Sequence, residues 1–240
     1  MTALSADGTH MDEEPGNFLI TKEDGICTIT LNRPKALNVF NEDTLNEFFN
    51  ILDDVSRDGE VKVVVLLSAC EKAFTAGADI KQMVLMGPAE GKSWSQLGHK
   101  IARKLETLPQ PVIIGVNGYV LGGGVEFACA CDIRIASEDS IFSQPEIDIG
   151  VIPGWGGTQR LSRIVGIAKA KEMIYTGQRV DAHEAKEIGL VNHVVPKEKL
   201  EEAVSARAQT LAAPGTLARG AAQNSRPRGD DSCRPAGRAA

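Results

Sequence analysis

The stretch VIIGVNGYVLGGGVEFACACDIRIA, residues 112–136, holds in one span the pattern that decides the fold. Val112 to Val116 is a short uncharged strand placed directly after the breaks at Pro109 and Pro111. Gly122 to Cys131 reads as a helix opened by glycines, and Ile133 to Ala136 returns to strand character. Strand, helix and strand in that order call for a parallel crossover. The flanking sequence repeats the theme. Upstream, Phe18 to Thr21 and Ile26 to Leu31 flank a Glu23-Asp24-Gly25 turn and read as a β-hairpin. Asn41 to Val55 carries Leu45, Phe48, Phe49, Leu52 and Val55 three and four apart, an amphipathic helix entered through Asn41 and Asp43. Val61 to Leu67 is nearly all β-branched or leucine, as expected of a strand covered on both faces. His99 to Leu108 has helical spacing. So do Ala168 to Tyr175, Ala182 to Ile188 and Lys197 to Leu211, while Gly154 to Thr158 is a loop that starts another helix. The fold class expected is α/β with several parallel crossovers.

With 240 residues, 42% of them hydrophobic, the chain can bury a sizeable core, which excludes a wholly disordered or fibrous protein. Aromatics make up only 5%, so small and aliphatic residues must do most of the packing. The formal charge of −6 is the wrong sign for a phosphate-backbone binder, so no nucleic-acid partner is expected. The longest aliphatic run without a charge, Val63 to Leu67, is far short of the ~20 residues of a membrane span, and no membrane partner is expected. Residues 1–16 form an acidic leader with Asp7, Asp12, Glu13 and Glu14 and no apolar stretch, unlike a secretory or transit sequence. The cysteines at 27, 70, 129, 131 and 233 are scattered and odd in number, which points to buried thiols in a reducing, cytoplasmic setting. Cys129 and Cys131 have no histidine nearby and read as small core residues, so no metal site is expected. From Ala212 to Ala240 the character changes: five Arg against two Asp give +3, and Leu217 is the only large aliphatic residue. No amphipathic period is visible there, and the expectation is a disordered tail, 212–240, behind a core spanning 17–211.

Three segments hold the candidates for chemistry. Ala73 to Lys81 and Asn117 to Glu126 are small-residue loops in which backbone N–H groups can face a ligand. Gly122, Gly123 and Gly124 also open a helix, so free N–H groups and the helix dipole would favour a developing negative charge there. A tight packing turn accounts for the same glycines. The run is neither a dinucleotide fingerprint nor a P-loop. The third segment is Phe142 to Glu146, with Pro153 to Arg160 behind it. Glu126 reads as a first-turn acid that complements the dipole, and Glu146 as a loop charge. Two carboxylates at one reacting centre could instead handle a water and a carbon acid.

Ala76-Gly77-Ala78-Asp79-Ile80, Gly122-Gly123-Gly124-Val125-Glu126, Gln144-Pro145-Glu146 and the run Pro153 to Leu161, in this order and spacing, resemble the crotonase (enoyl-CoA hydratase/isomerase) superfamily. The likeness extends from about Phe18 to about Leu211 and includes Arg33 to Asn38, Thr176-Gly177 and Ala182 to Val195. The resemblance implies a spiral of repeated ββα units, assembled as a trimer or hexamer, with acyl-CoA as substrate and no separate cofactor. It implies an oxyanion hole from the N–H groups of Ala78 and Gly123. It places Lys35, Ala36, Leu37, Ala76, Asp79, Ile80, Lys81 and Gly122 along the coenzyme A moiety, although Lys81 also reads as a solvated surface lysine. The pair Glu126 and Glu146 matches members that hydrate a trans-2-enoyl-CoA to the 3-hydroxyacyl-CoA. Enoyl- or dienoyl-CoA isomerisation, for which Asp148 would matter, is the alternative, with acyl-CoA binding without turnover a third reading. Trp155, Met83, Val84, Leu85 and Met86 are candidates for the acyl pocket. The family usually closes with amphipathic helices, so the tail reads as a truncated or altered end with low or absent activity.

Overall fold

The computed structural model describes residues 16–213. Its strands fall into two sheets, and through its middle, from the third strand to the eighth, the chain visits them alternately. A hairpin of β1 (Phe18–Glu23) and β2 (Ile26–Leu31) opens the larger sheet. It continues through parallel neighbours β3 (Val63–Ser68), β5 (Val112–Val116), β7 (Ile133–Ser137) and β10 (His193–Val195) in the order β1-β2-β3-β5-β7-β10. The smaller sheet takes the intervening strands β4 (Ala73–Thr75), β6 (Tyr119–Leu121), β8 (Ile141–Ser143) and β9 (Val180–Asp181), in that order. A strand in each sheet followed by a helix is the ββα repeat. The successive turns form the spiral.

The helices follow from local sequence. α1 (Glu42–Arg57) begins at Asn41, whose side chain accepts from Thr44 N while the Thr44 side chain accepts from Asn41 N, a reciprocal cap. Its Leu45, Phe48, Leu52 and Val55 enter the core. Behind the short α2 (Ile80–Met83), α3 runs over Pro88–Thr107, eleven residues longer at its start than the His99 expected from spacing. The periodicity fails at Gly98, because the Trp155 indole occupies the space where a side chain would stand. α4 (Gly123–Ala130) is buried along its entire length. α5 (Gly157–Val165), α6 (Ile167–Thr176) and α7 (Ala182–Glu187) follow, and α8 (Leu200–Ala212) closes the described chain.

β3 is buried on both faces for separate reasons. Val64 and Leu66 face the main core with α1, α3 and α4, whereas Val63 and Val65 meet Leu200, Val204, Ala208 and Ala212 of α8. That explains its unbroken aliphatic sequence. α8 includes Ala212, which sequence reading gave to the tail, and the rest of the tail from 214 lies outside the described residues, as does the leader to residue 15. Cys129 and Cys131 are buried core thiols, with Cys131 Sγ donating to Phe127 O at 3.2 Å.

Gly98→Ala tests the packing. Alanine is the better helix former by about 1 kcal/mol, yet its Cβ would overlap a Trp155 ring already stacked on Phe127. Overpacking costs of about 1–3 kcal/mol should prevail, giving a lower denaturant midpoint than the parent. An unchanged or higher midpoint would show that the indole can yield.

Candidate active site

A cavity of about 530 Å³ opens at one edge of the smaller sheet. β4, β6 and β8 are parallel neighbours, so the segments leaving their C-terminal ends emerge side by side. The exit of β4 gives Ala76, Gly77, Ala78 and Ile80, that of β6 gives Gly122, Gly123 and Glu126, and that of β8 gives Pro145, Glu146 and Asp148. Gly77 has φ +91, and a Cβ there would lie 2.8 Å from Leu121 O and 3.5 Å from Gly123 N. Only glycine permits the first two segments to touch. Phe40 N donates to Gly77 O and Asp79 N to Phe40 O, a parallel bridge that leaves the Ala78 N–H between them unused. Among the described residues neither the Ala78 nor the Gly123 N–H meets an acceptor, and both residues line the cavity. Gly123 is the first residue of α4, so its N–H also lies at the positive end of the helix dipole.

The two glutamates converge on this cavity. Glu126 is 2% exposed, and its Oε1 accepts from Trp155 N at 2.8 Å and Gly157 N at 2.6 Å. Burial raises its pKa to about 7 against the pull of these amides and of Arg160. Glu146 is raised further, to about 8, by burial and then by the charge of Glu126. Turned with its nitrogen towards Glu146, the buried Gln144 amide donates to both carboxylate oxygens at 2.8 and 2.9 Å.

The other candidates divide. Ala76, Ile80 and Gly122 line the cavity, whereas Lys35, Ala36, Leu37, Asp79 and Lys81 stand outside its wall. Lys35 and Lys81 are exposed. Leu37 and Asn38 hold left-handed backbone, pinned by Asn38 Nδ2 donating to Phe74 O and by Ala76 N donating to Leu37 O, which ties this segment to the site. Asp79 caps α2, accepting from Lys81 N and Gln82 N. Asp148 sits on the cavity wall but is exposed. Met83, Met86 and Trp155 line the cavity, whereas Val84 and Leu85 point to solvent at 77% and 85% exposure and do not. Sequence reading missed Trp94 and Ser95, which enter from the unexpected first half of α3. It also missed the amides of Trp155 and Gly157 as supports for Glu126. Among the described residues no group of three or more His, Cys, Asp or Glu is placed to hold a metal ion.

The family model for enoyl-CoA hydratase/isomerase matches residues 21–231. The chain belongs to the enoyl-CoA hydratase/isomerase family. It is 50% identical over 187 residues to a short-chain-enoyl-CoA hydratase of Clostridium acetobutylicum, covering 78% of this chain and 72% of that one. To a crotonyl-CoA hydratase of Syntrophomonas wolfei it is 42% identical over 202 residues, covering 84% and 78%. Its fold superposes on the crystal structure of an enoyl-CoA hydratase from Bacillus anthracis with a TM-score of 0.84 at 40% identity, covering 87% and 81%. This spiral is therefore the enoyl-CoA hydratase/isomerase fold, and the hydratase/isomerase motifs of the sequence are the segments that line its cavity.

The raised carboxyl groups have a consequence for stability. Each is neutral in the folded chain at pH values where the unfolded chain, near its ordinary 4.5, is ionised. Their contribution is present in full below about pH 4.5 and is lost as pH rises through about 7 to 8. Glu146→Gln, neutral at every pH, should gain on the parent between pH 5 and 8.5 in denaturant midpoint. A constant difference would mean that Glu146 titrates normally.

Proposed function

We propose that the chain hydrates trans-2-enoyl-CoA thioesters reversibly to 3-hydroxyacyl-CoA. The observation that carries this is the pair of carboxyl groups, Glu126 buried and near 7 and Glu146 half-buried and near 8, on one cavity with two unused backbone N–H groups. The likeness to hydratases at 42–50% identity supports it.

In this mechanism the thioester oxygen lies between the N–H groups of Ala78 and Gly123. A water sits between Glu126 and Glu146. Glu126, ionised first of the pair, takes a proton from the water as its oxygen bonds to the β-carbon. The π electrons move onto the thioester oxygen, and the two N–H groups and the α4 dipole hold the enolate. Loss of one such donor costs about 2.7–4 kcal/mol of barrier. Glu146, still protonated, gives its proton to the α-carbon as the enolate collapses, and proton exchange with solvent resets the pair. Two carboxyls in environments that separate their pKa values are what an acid and a base at one centre require. Isomerisation needs only a proton moved between carbons, and the second carboxyl makes hydration the better-supported reading.

Coenzyme A enters as part of the substrate and no further cofactor is needed. Its adenine and pantetheine run past Lys35, Ala36 and Leu37, with Ala76, Asp79, Ile80 and Gly122 along the path and Lys81 near the phosphates. The tie from Leu37 O to Ala76 N supports that course. Assembly as a trimer or hexamer follows from the resemblance, and apolar side chains left in solvent outside the cavity, Val84, Leu85 and Ile167 among them, fit burial between copies. A reducing, cytoplasmic setting is supported by the buried thiols Cys27, Cys70, Cys129 and Cys131 among the described residues. Among the described residues no helix is long and apolar enough to cross a membrane.

Loss of the enoyl-thioester absorbance with crotonyl-CoA tests the activity. Glu126→Gln and Glu146→Gln should each lower kcat by at least ~10²-fold, the range of general acid–base groups. The kcat/KM profile of the parent should be bell-shaped, rising as the pair loses its first proton near 7 and falling as it loses the second near 8. Either variant with near-parental turnover would remove that glutamate from the mechanism.

A further inference from the structure

We infer that Arg160, fixed by Glu106, is a positioning residue for Glu126, acting through the loop that holds the carboxylate and through its own charge. This rests on the hydratase reading and goes beyond it, because neither Arg160 nor Glu106 lines the cavity.

The geometry is that of a clamp. Arg160 on α5 forks onto Glu106 of α3, with Nε to Oε1 at 2.7 Å and Nη2 to Oε2 at 2.8 Å. Its third nitrogen, Nη1, donates to Trp155 O at 3.1 Å. The Arg160 N–H bonds Gly156 O at 2.9 Å, and Gly156 has φ +107 with Nη1 lying where a Cβ would stand. The same residues, 155–157, present the N–H groups of Trp155 and Gly157 to Glu126 Oε1. Arg160 therefore grips the carbonyl edge of a short loop whose amide edge grips the reacting carboxylate. Glu106 ties the grip to α3, which also carries Gly98 against Trp155. A lysine could supply the charge but not the planar fork.

The charge reaches Glu126 as well. Arg160 favours the ionised carboxylate, against burial. The other titratable groups around Glu126 are Glu146 from the 3-10 turn Pro145–Ile149, Cys129 on α4 itself, and Glu106 with His99 on α3 beside Arg160. Among the described residues, Arg160 is the fixed cation whose charge acts on Glu126. Glu106 is 39% exposed, so the ion pair by itself is worth little, but the Arg160 side chain that acts on the loop and on Glu126 is only 14% exposed.

The test uses Arg160→Met, Arg160→Lys and Glu106→Gln in the full chain, with two readouts. One is kcat and KM for crotonyl-CoA across pH. The other is the ionisation of Glu126, followed by isotope-edited infrared difference against Glu126→Gln, which needs no turnover. Arg160→Met should lower kcat about 10- to 100-fold, the scale of a slightly misplaced catalytic group, with KM within about threefold. Its acidic limb and its Glu126 band should both move to higher pH, because a cation that favoured the carboxylate is gone. Arg160→Lys should keep the limb near the parent's and recover part of kcat. Glu106→Gln should lower kcat without raising the limb, since the arginine charge stays.

Parental kcat in Arg160→Met, or a loss of kcat with limb and band unmoved, would overturn the inference and leave an ordinary structural ion pair. Should Arg160→Met not fold, Glu106→Gln decides: a fall in kcat at unchanged KM supports the clamp, and parental kcat refutes it. If the parent hydrates no enoyl thioester, the functional reading fails by itself, and the infrared band still tests Arg160.

Discussion

Trp155 fills the space above two glycines, and that overlap sets how closely three elements approach. A Cβ on Gly98 of α3 or on Gly123 of α4 would coincide with its indole ring. The ring stacks on Phe127 at 5.1 Å between centroids and meets Phe40 edge-on at 6.2 Å and Trp94 at 5.9 Å. Aromatic pairs of this kind are worth about 0.5–1.5 kcal/mol each beyond their burial. The side chain thus fixes its own backbone, and that backbone does the polar work: Trp155 N donates to Glu126 and Trp155 O accepts from Arg160. An apolar contact has become the reference frame for a carboxylate.

Glu126 shows how finely that frame must be drawn. A carboxylate this deeply buried with no donors would stay protonated far above neutrality. With a full set of donors it would fall below the ordinary carboxylate range and be a feeble base. Burial opposed by the amides of Gly157, Trp155 and Gly156 and by the charge of Arg160 leaves it near 7. Glu146 lies near 8, raised by burial and then by the charge of Glu126, while the Gln144 amide turned towards it favours the ionised form. The difference between two identical side chains comes from their surroundings.

Much of this was legible in the sequence, for reasons that differ from residue to residue. β5 was read to the residue, Val112 to Val116, because an aliphatic run between a proline and Asn-Gly has sharp ends. α1 was read because its cap and its periodicity agree. The smaller sheet was missed: Tyr119 to Leu121 and Ala73 to Thr75 look like loop, since three residues are too few to show a period of two. The first half of α3 was missed because Gly98 leaves a gap in the apolar stripe that Trp155 fills from elsewhere in the chain. The chemistry-bearing segments stood out by composition and by resemblance. Their convergence could not be read from spacing, because it depends on the sheet that was not seen.

That sheet is where fold and chemistry join. β4, β6 and β8 are short, parallel and adjacent, with Leu121 opposite Ser143 and Gly122 N bonded to Ser143 O at 2.9 Å. Parallel strands end on the same edge, and ligand sites in parallel sheets gather beyond their carboxyl ends. Each turn of the spiral therefore delivers one segment to one place: the first turn Ala78, the second Gly123 and Glu126, the third Glu146. Ala78 and Gly123 are 45 residues apart along the chain, yet the repeat sets them a strand apart in space. Strands of three residues suffice, because the larger sheet and the helices behind it carry the stability. The smaller sheet has only to hold three chain exits in register, and longer strands would fill with side chains the edge at which the cavity opens.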